Sequence, residues 1–110
     1  MTEQEILLVI TNLPDRVTAE RIAAALVSDG VAACVNVMAE CTSIYRWQGN
    51  LEHAKEVPMF IKTTRAAYPQ LESALRNMHP YELPEIIALP VSAGLPEYLN
   101  WVTKETQLRN

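Results

Sequence analysis

Glycine is scarce, with three in 110 residues and none in a run that cradles a phosphate. Cysteine occurs twice, at Cys34 and Cys41, seven positions apart. That is not the C-x-x-C spacing of a thiol redox pair or a zinc knuckle. The two are expected as small, partly buried apolar residues rather than a disulfide. No apolar run approaches the roughly 20 residues that span a bilayer, so no membrane partner is expected. Lys and Arg number nine against thirteen Asp and Glu, and the net charge of −4 argues against nucleic acid. The opening Met1-Thr2-Glu3-Gln4-Glu5 is acidic, the opposite of a secretory leader's start, which points to the cytoplasm. No Ser/His/Asp or Cys/His constellation is legible, so no enzyme is expected.

What is present fits one soluble globular domain over residues 1–110. Its 49% hydrophobic and 20% charged content supports a single core.

Ile6 to Ile10 is a continuous apolar run that predicts a strand covered on both faces. Thr11-Asn12-Leu13-Pro14-Asp15 is expected to break it, with Asp15 as a helix N-cap. Ala19, Ile22, Ala23 and Leu26 then recur at helical spacing up to Asp29, and Gly30 supplies the stop. Val31 to Met38 reads as a second strand that resumes, after an irregularity at Ala39-Glu40, from Thr42 to Trp47. Gln48-Gly49-Asn50 is a turn signal, and the next strand spans about Leu51 to Thr63. Its alternation sets Val57, Met59 and Ile61 on one face and Glu56, Pro58, Phe60 and Lys62 on the other. Pro58 has no N–H for a ladder, so a bulge or a locally unpaired edge is expected there.

Thr64 is a candidate cap for a helix whose apolar stripe is Tyr68, Leu71, Leu75 and Met78. Glu85 to Pro90 is a short apolar strand, and Ser92-Ala93-Gly94 turns the chain. Pro96 fits the first turn of a last helix carrying Leu95, Tyr98, Leu99, Trp101 and Val102. The order β-α-β-β-α-β with one extra C-terminal helix predicts an α+β, ferredoxin-like βαββαβ fold. Other occupants of that fold are excluded by residues. The stretch His53-Ala54-Lys55-Glu56-Val57-Pro58 lacks the aromatic RNA-binding pattern, and Thr11-Asn12-Leu13-Pro14 stands where metal-transfer domains carry C-x-x-C.

The hairpin is too long for such a domain. Val31 to Trp47 would reach on the order of 55 Å at about 3.3 Å per residue. A chain of this size has a radius of gyration of about 13 to 14 Å and a width of roughly 35 Å. The tip with Ile44, Tyr45 and Trp47 must therefore overhang, and a two-stranded ribbon with exposed aromatics is marginal in water. Closed cyclic symmetry would cover every tip with another copy of the chain, so a homo-oligomer is expected. The alternative is a tip that folds back as a loop.

His79-Pro80-Tyr81-Glu82-Leu83-Pro84-Glu85 places an imidazole, a phenol and carboxylates between a helix and a strand. Each Pro restricts itself and the residue before it, which pre-positions His79 and Leu83. The segment is either a site of the kind that loops on rigid elements carry, or punctuation between two elements.

Five blocks in register carry a resemblance. They are Leu26 to Val37, Thr42-Ser43-Ile44-Tyr45-Arg46-Trp47-Gln48-Gly49, Ile61-Lys62-Thr63-Thr64, His79 to Ile87, and Tyr98-Leu99-Asn100-Trp101. Together they closely resemble the CutA divalent-ion tolerance protein family over about Ile6 to Trp101. The resemblance implies a ferredoxin-like subunit in a tight homotrimer whose long hairpins exchange strands. It also implies a small cytoplasmic protein linked to tolerance of divalent metals, copper especially, with no organic cofactor.

Carried over residue by residue, the family's metal position at the His-Pro motif is His79. The position before it, a second histidine in some members, is Met78, and the first-strand position that can be cysteine is Thr11. Thr is a poor copper ligand, and Met78 lies on the core stripe of its helix. What remains is weak binding of copper or another divalent cation through His79 with Glu56 or a neighbouring subunit. In the family pattern Glu56 and Lys62, the hairpin aromatics Tyr45 and Trp47, and Tyr81 and Glu82 resemble the lining of an intersubunit cleft. A structural ion pair with interface aromatics is the alternative, and His53 is expected in solvent. Two functions follow from the resemblance and the fold: a trimeric metal-response protein without catalysis, or a trimeric small-molecule sensor by fold analogy.

Overall fold

One long strand carries the sheet. Residues 50–64 hold no glycine and alternate in character, which suits a continuous ladder. The computed structural model describes residues 4–107, so the acidic start at residues 1–3 lies outside the described residues. The chain runs β1 (Ile6–Leu13), α1 (Arg16–Ser28), β2 (Cys34–Val37), β3 (Cys41–Trp47), β4 (Asn50–Thr64), α2 (Tyr68–Met78), β5 (Ile87–Pro90) and α3 (Pro96–Glu105). β4 pairs β1 from Leu13↔Val57 to Ile6↔Thr64, and β2 from Val37↔Met59 to Cys34↔Lys62. β5 adds to the other side of β1, giving the order β2-β4-β1-β5 with every pair antiparallel. That is the ferredoxin-like arrangement expected.

One face of the sheet is covered by α1 and α2. Val9, Leu13, Val57, Met59 and Ile61 meet Ile22, Leu26, Leu71 and Leu75 in one buried cluster. The four stripe residues read from the sequence of α1 are all buried. A smaller cluster joins Ile6, Ala33 and Val102, which docks α3. The Asp15 carboxylate accepts from Thr18 N at 2.7 Å, capping α1 as expected.

Several boundaries differ from expectation, among them that of β5, which begins at Ile87 rather than Glu85. β1 continues through Thr11-Asn12-Leu13, because Thr11 and Leu13 are fully buried and the ladder with β4 outweighs the local break signals. β2 begins at Cys34, because Val31 N and Ala32 N both donate to Leu26 O and close α1 instead. Thr64 ends β4, and its hydroxyl accepts from Ala67 N, so it caps the turn ahead of α2 rather than α2 itself.

The irregularity at Ala39-Glu40 is a bulge. Between the pairs Val37↔Met59 and Cys41↔Glu56, residues 38–40 stand opposite residues 57–58. Met38 N donates to the Pro58 carbonyl at 2.9 Å, and Arg16 Nη2 clamps the Met38 carbonyl at 2.8 Å. The extra residue shifts parity. Val35 and Val37 pair across from Ile61 and Met59, whereas Ser43 and Tyr45 pair across from Ala54 and Glu52. Tyr45 and Trp47 are thereby set on the Glu56 parity of β4.

Beyond Glu56, β4 pairs with β3 alone, and this ribbon stretches the molecule to 44 × 28 × 23 Å. Gln48 and Gly49 close it, both at positive φ (51° and 84°), the two-residue hairpin turn that the sequence signalled. The tip overhangs rather than folding back, and Ile44 and Leu51 are 63% and 66% exposed.

Thr11 Oγ1 is buried with no hydrogen-bond partner among the described residues. An orphaned buried hydroxyl costs about 1 to 3 kcal/mol, and Val has the same shape without it. Thr11→Val is therefore expected to stabilise the fold by about 1 kcal/mol in chemical denaturation at fixed protein concentration. A lower midpoint would contradict the assignment.

Candidate functional site

The site is built where the end of β1, the base of the ribbon and the segment after α2 converge. Pro80 drives His79 out of the helical region, and His79 caps α2 with extended backbone (φ −72°, ψ 132°). Its ring turns inward, and the residue is only 8% exposed. Nε2 lies 2.9 Å from the Asn12 carbonyl, and Nδ1 lies 3.3 Å from Tyr81 N. A carbonyl can only accept and an amide N–H can only donate, so the ring is neutral with its proton on Nε2. Burial pushes its pKa below 6.5, against the opposing pull of the Asn12 bond and the Glu56 charge. The Asn12 side chain donates to Glu85 Oε1 at 3.0 Å. One residue of β1 thus grips both ends of the loop.

Glu56, opposite Cys41 at the base of the ribbon, is 7% exposed. The Tyr81 phenol lies near it, and its pKa is raised well above the usual range by burial first and by this carboxylate second. The Tyr81 ring leans on His79 at 4.9 Å between centroids.

A cleft of about 800 Å³ opens between ribbon and loop. Ser43, Ile44, Tyr45, Trp47, Ala54 and Glu56 form the ribbon side, and Asn12 sits at the base. Across from them stand Pro80, Tyr81, Glu82, Leu83 and Glu85. The structure therefore brings together five of the predicted residues: Tyr45, Trp47, Glu56, Tyr81 and Glu82. His79 lies behind Tyr81 as a strut. Lys62 is elsewhere: its amine bonds the Asn36 side chain and sits 3.9 Å from Cys34 Sγ. Six residues of strand, roughly 20 Å, separate it from Glu56, so these two do not pair within one chain. His53 is exposed as expected.

Asn12 and Glu85 are working parts that sequence reasoning did not single out. Asn12 acts partly through its backbone carbonyl, which leaves no side-chain signal, whereas Glu85 stood in the legible motif.

The fit to copper follows from the donors. Both His79 nitrogens are engaged, Met78 packs against the core, and the Thr11 hydroxyl is sealed inside it. Among the described residues no group of three or more His, Cys, Asp or Glu is placed to hold a metal. A tight, preformed copper site in one subunit does not fit these residues.

Sheet order, ribbon and cleft define a ferredoxin-like α+β protein with an overhanging β-hairpin. The family model described as CutA1 divalent ion tolerance protein matches residues 7–105, and the chain belongs to that family. The chain is similar to the divalent-cation tolerance protein CutA of Thermus thermophilus, 44% identical over 98 residues, covering 89% of this chain and 95% of that one. It is similar to protein CutA of Mus musculus, 47% identical over 94 residues, covering 86% of this chain and 53% of that one. The crystal structure of CutA1 from Shewanella sp. SIB1, described as a stable protein, superposes with a TM-score of 0.92 at 42% identity, covering 96% of this chain and 99% of that one.

The neutral strut generates a pH dependence. An unfolded imidazole titrates near 6.5, and the folded one lower. Above 6.5 both states hold it neutral and its contribution is complete. As the pH falls below 6.5, the unfolded chain takes up the proton first, so stability is lost. Denaturation midpoints are expected to fall between pH 7 and about 5.5, and His79→Gln is expected to flatten that fall. An unchanged slope in the variant would contradict the strut.

Proposed function

We propose that this chain serves divalent-cation tolerance as a non-catalytic cytoplasmic homotrimer whose cleft binds a divalent cation, copper included, weakly. The observation that carries the reading is Glu56: a carboxylate buried at the cleft wall that forms no ion pair among the described residues. Burying a charge without a partner is costly, so a cation arriving there is stabilised. His79 joins such an ion only by surrendering its long 3.3 Å contact from Tyr81 N, which keeps binding weak. Two free cysteines suit a reducing compartment.

The trimer is supported by surfaces that one chain leaves open. Ile44 and Leu51 on the ribbon, Ile87 and Leu89 on the edge strand β5, and Tyr98 and Trp101 on α3 are all exposed. Such edges pair with copies of themselves unless covered, and closed symmetry covers them all. No helix among the described residues is long and apolar enough to cross a membrane.

A second reading, a trimeric small-molecule sensor, is favoured by the size and walls of the cleft. About 800 Å³ lined by Tyr45, Trp47 and Tyr81 is far more room than an ion needs.

Calorimetry with Cu(II) and Zn(II), on protein whose mass is first fixed by sedimentation, tests the proposal. Three chains and a weak saturable site are expected. Glu56→Gln should weaken it about tenfold, or roughly 1.4 kcal/mol, with a smaller loss in His79→Ala. A single-chain mass at all concentrations, or metal affinity indifferent to Glu56, would contradict it.

A further inference from the structure

Cys41 stands directly opposite Glu56 in the ladder between β3 and β4. Side chains paired in that way leave the same face of a ribbon, with Cβ atoms about 4.5 to 5.5 Å apart. Ser43 shares that face, and the Cys41 sulfur lies 3.8 Å from its hydroxyl oxygen. This long contact is the one polar partner of Cys41 among the described residues, and the thiol is free and half-buried. Glu56 is buried and forms no ion pair among the described residues. The Tyr81 phenol beside it is neutral and leaves that charge uncompensated. A carboxylate and a sulfur therefore share one corner at the base of the ribbon. Their register belongs to a single chain, and their burial only deepens when another copy covers the ribbon.

We infer that the cation of the proposed site is thiophilic, held between the Glu56 carboxylate and the Cys41 sulfur. The inference rests on the divalent-cation reading above and gives it a second ligand and a selectivity. A Zn–S bond of about 2.3 Å and a Zn–O bond of about 2.0 to 2.2 Å fit across one rung of a ladder. The thiol loses its proton to solvent as the ion binds, so the pair brings two negative charges to a divalent cation. Hard ions such as Mg(II) and Ca(II) demand a shell of oxygens that one carboxylate does not supply, whereas a thiolate selects softer ions. Two ligands fall short of a closed site, in keeping with the lack of any three-ligand group among the described residues. Water or a neighbouring copy fills the remaining positions, which keeps binding weak. The other thiol is not equivalent. Cys34 pairs with Lys62, six residues of strand and roughly 20 Å from Glu56, and its sulfur lies 3.9 Å from the Lys62 amine. A metal ion at Cys34 would meet that ammonium.

The test is calorimetry with near-ultraviolet absorbance on the full-length protein, kept reduced by a phosphine, using Cd(II), Zn(II) and Mg(II). Cd(II) and Zn(II) are expected to bind at least about tenfold more tightly than Mg(II), and Cd(II) to raise a thiolate charge-transfer band. Cys41→Ser should remove the band and weaken Cd(II) about tenfold, and Cys34→Ser should leave both unchanged. Should Cys41→Ser not fold, Cys34→Ser still decides, because Cys41 is then the one remaining thiol. A band there assigns the ligand, and its loss overturns the inference. Mg(II) binding as tightly as Cd(II), or Cd(II) affinity that falls in Glu56→Gln but not in Cys41→Ser, overturns the sulfur ligand and leaves the divalent-cation reading standing. No saturable heat from any of these ions up to about 10 mM overturns both.

Discussion

A neutral imidazole clipped between a strand and a loop is the interaction on which the site depends. His79 gives a proton to the Asn12 carbonyl and takes one from Tyr81 N–H, so a single side chain joins β1 to the segment beyond α2. Neither bond is worth much alone, on the order of 1 kcal/mol net. Their value is positional. They set Tyr81 against Glu56 and hold the loop open toward the ribbon, and a buried polar group satisfied on both sides has one arrangement available. The same completeness takes the histidine out of competition for a tightly bound metal, which sets this chain apart from a preformed copper centre.

The opposite wall is placed by the bulge at residues 38–40. Without the extra residue, Tyr45 and Trp47 would share the parity of Val35 and Val37, which face Ile61 and Met59. With it, they come round to the side of Glu56. Pro58 is where that exchange is tolerated, since it has no N–H to contribute and its carbonyl is taken by Met38. A device that keeps a ladder from continuing is therefore also the device that furnishes the cleft with aromatics.

Much of this was legible in the sequence wherever one residue's chemistry or one face's periodicity decides the outcome. The stripes Ala19-Ile22-Ala23-Leu26 and Leu71-Leu75, the Asp15 cap and the Gln48-Gly49 turn all follow from local rules. The overhang followed from length alone. The end of β1 did not, because Asn12 signals a break locally while its ladder partner and its bond to His79 are distant in sequence. Nor did the start of β2, because Leu26 O captures two amides that the apolar run alone would place in a strand. Alternation correctly put Glu56 and Lys62 on one face, but a face on a long strand is not a place. Lys62 bonds Asn36 far from the cleft. The family, carried by five blocks in register, was legible throughout.

Ring-nitrogen NMR measures directly whether His79 is a neutral, doubly bonded strut. In the metal-free protein at pH 7, a neutral ring protonated at Nε2 and bare at Nδ1 is expected. A ring protonated at Nδ1, or an imidazolium at that pH, would contradict it.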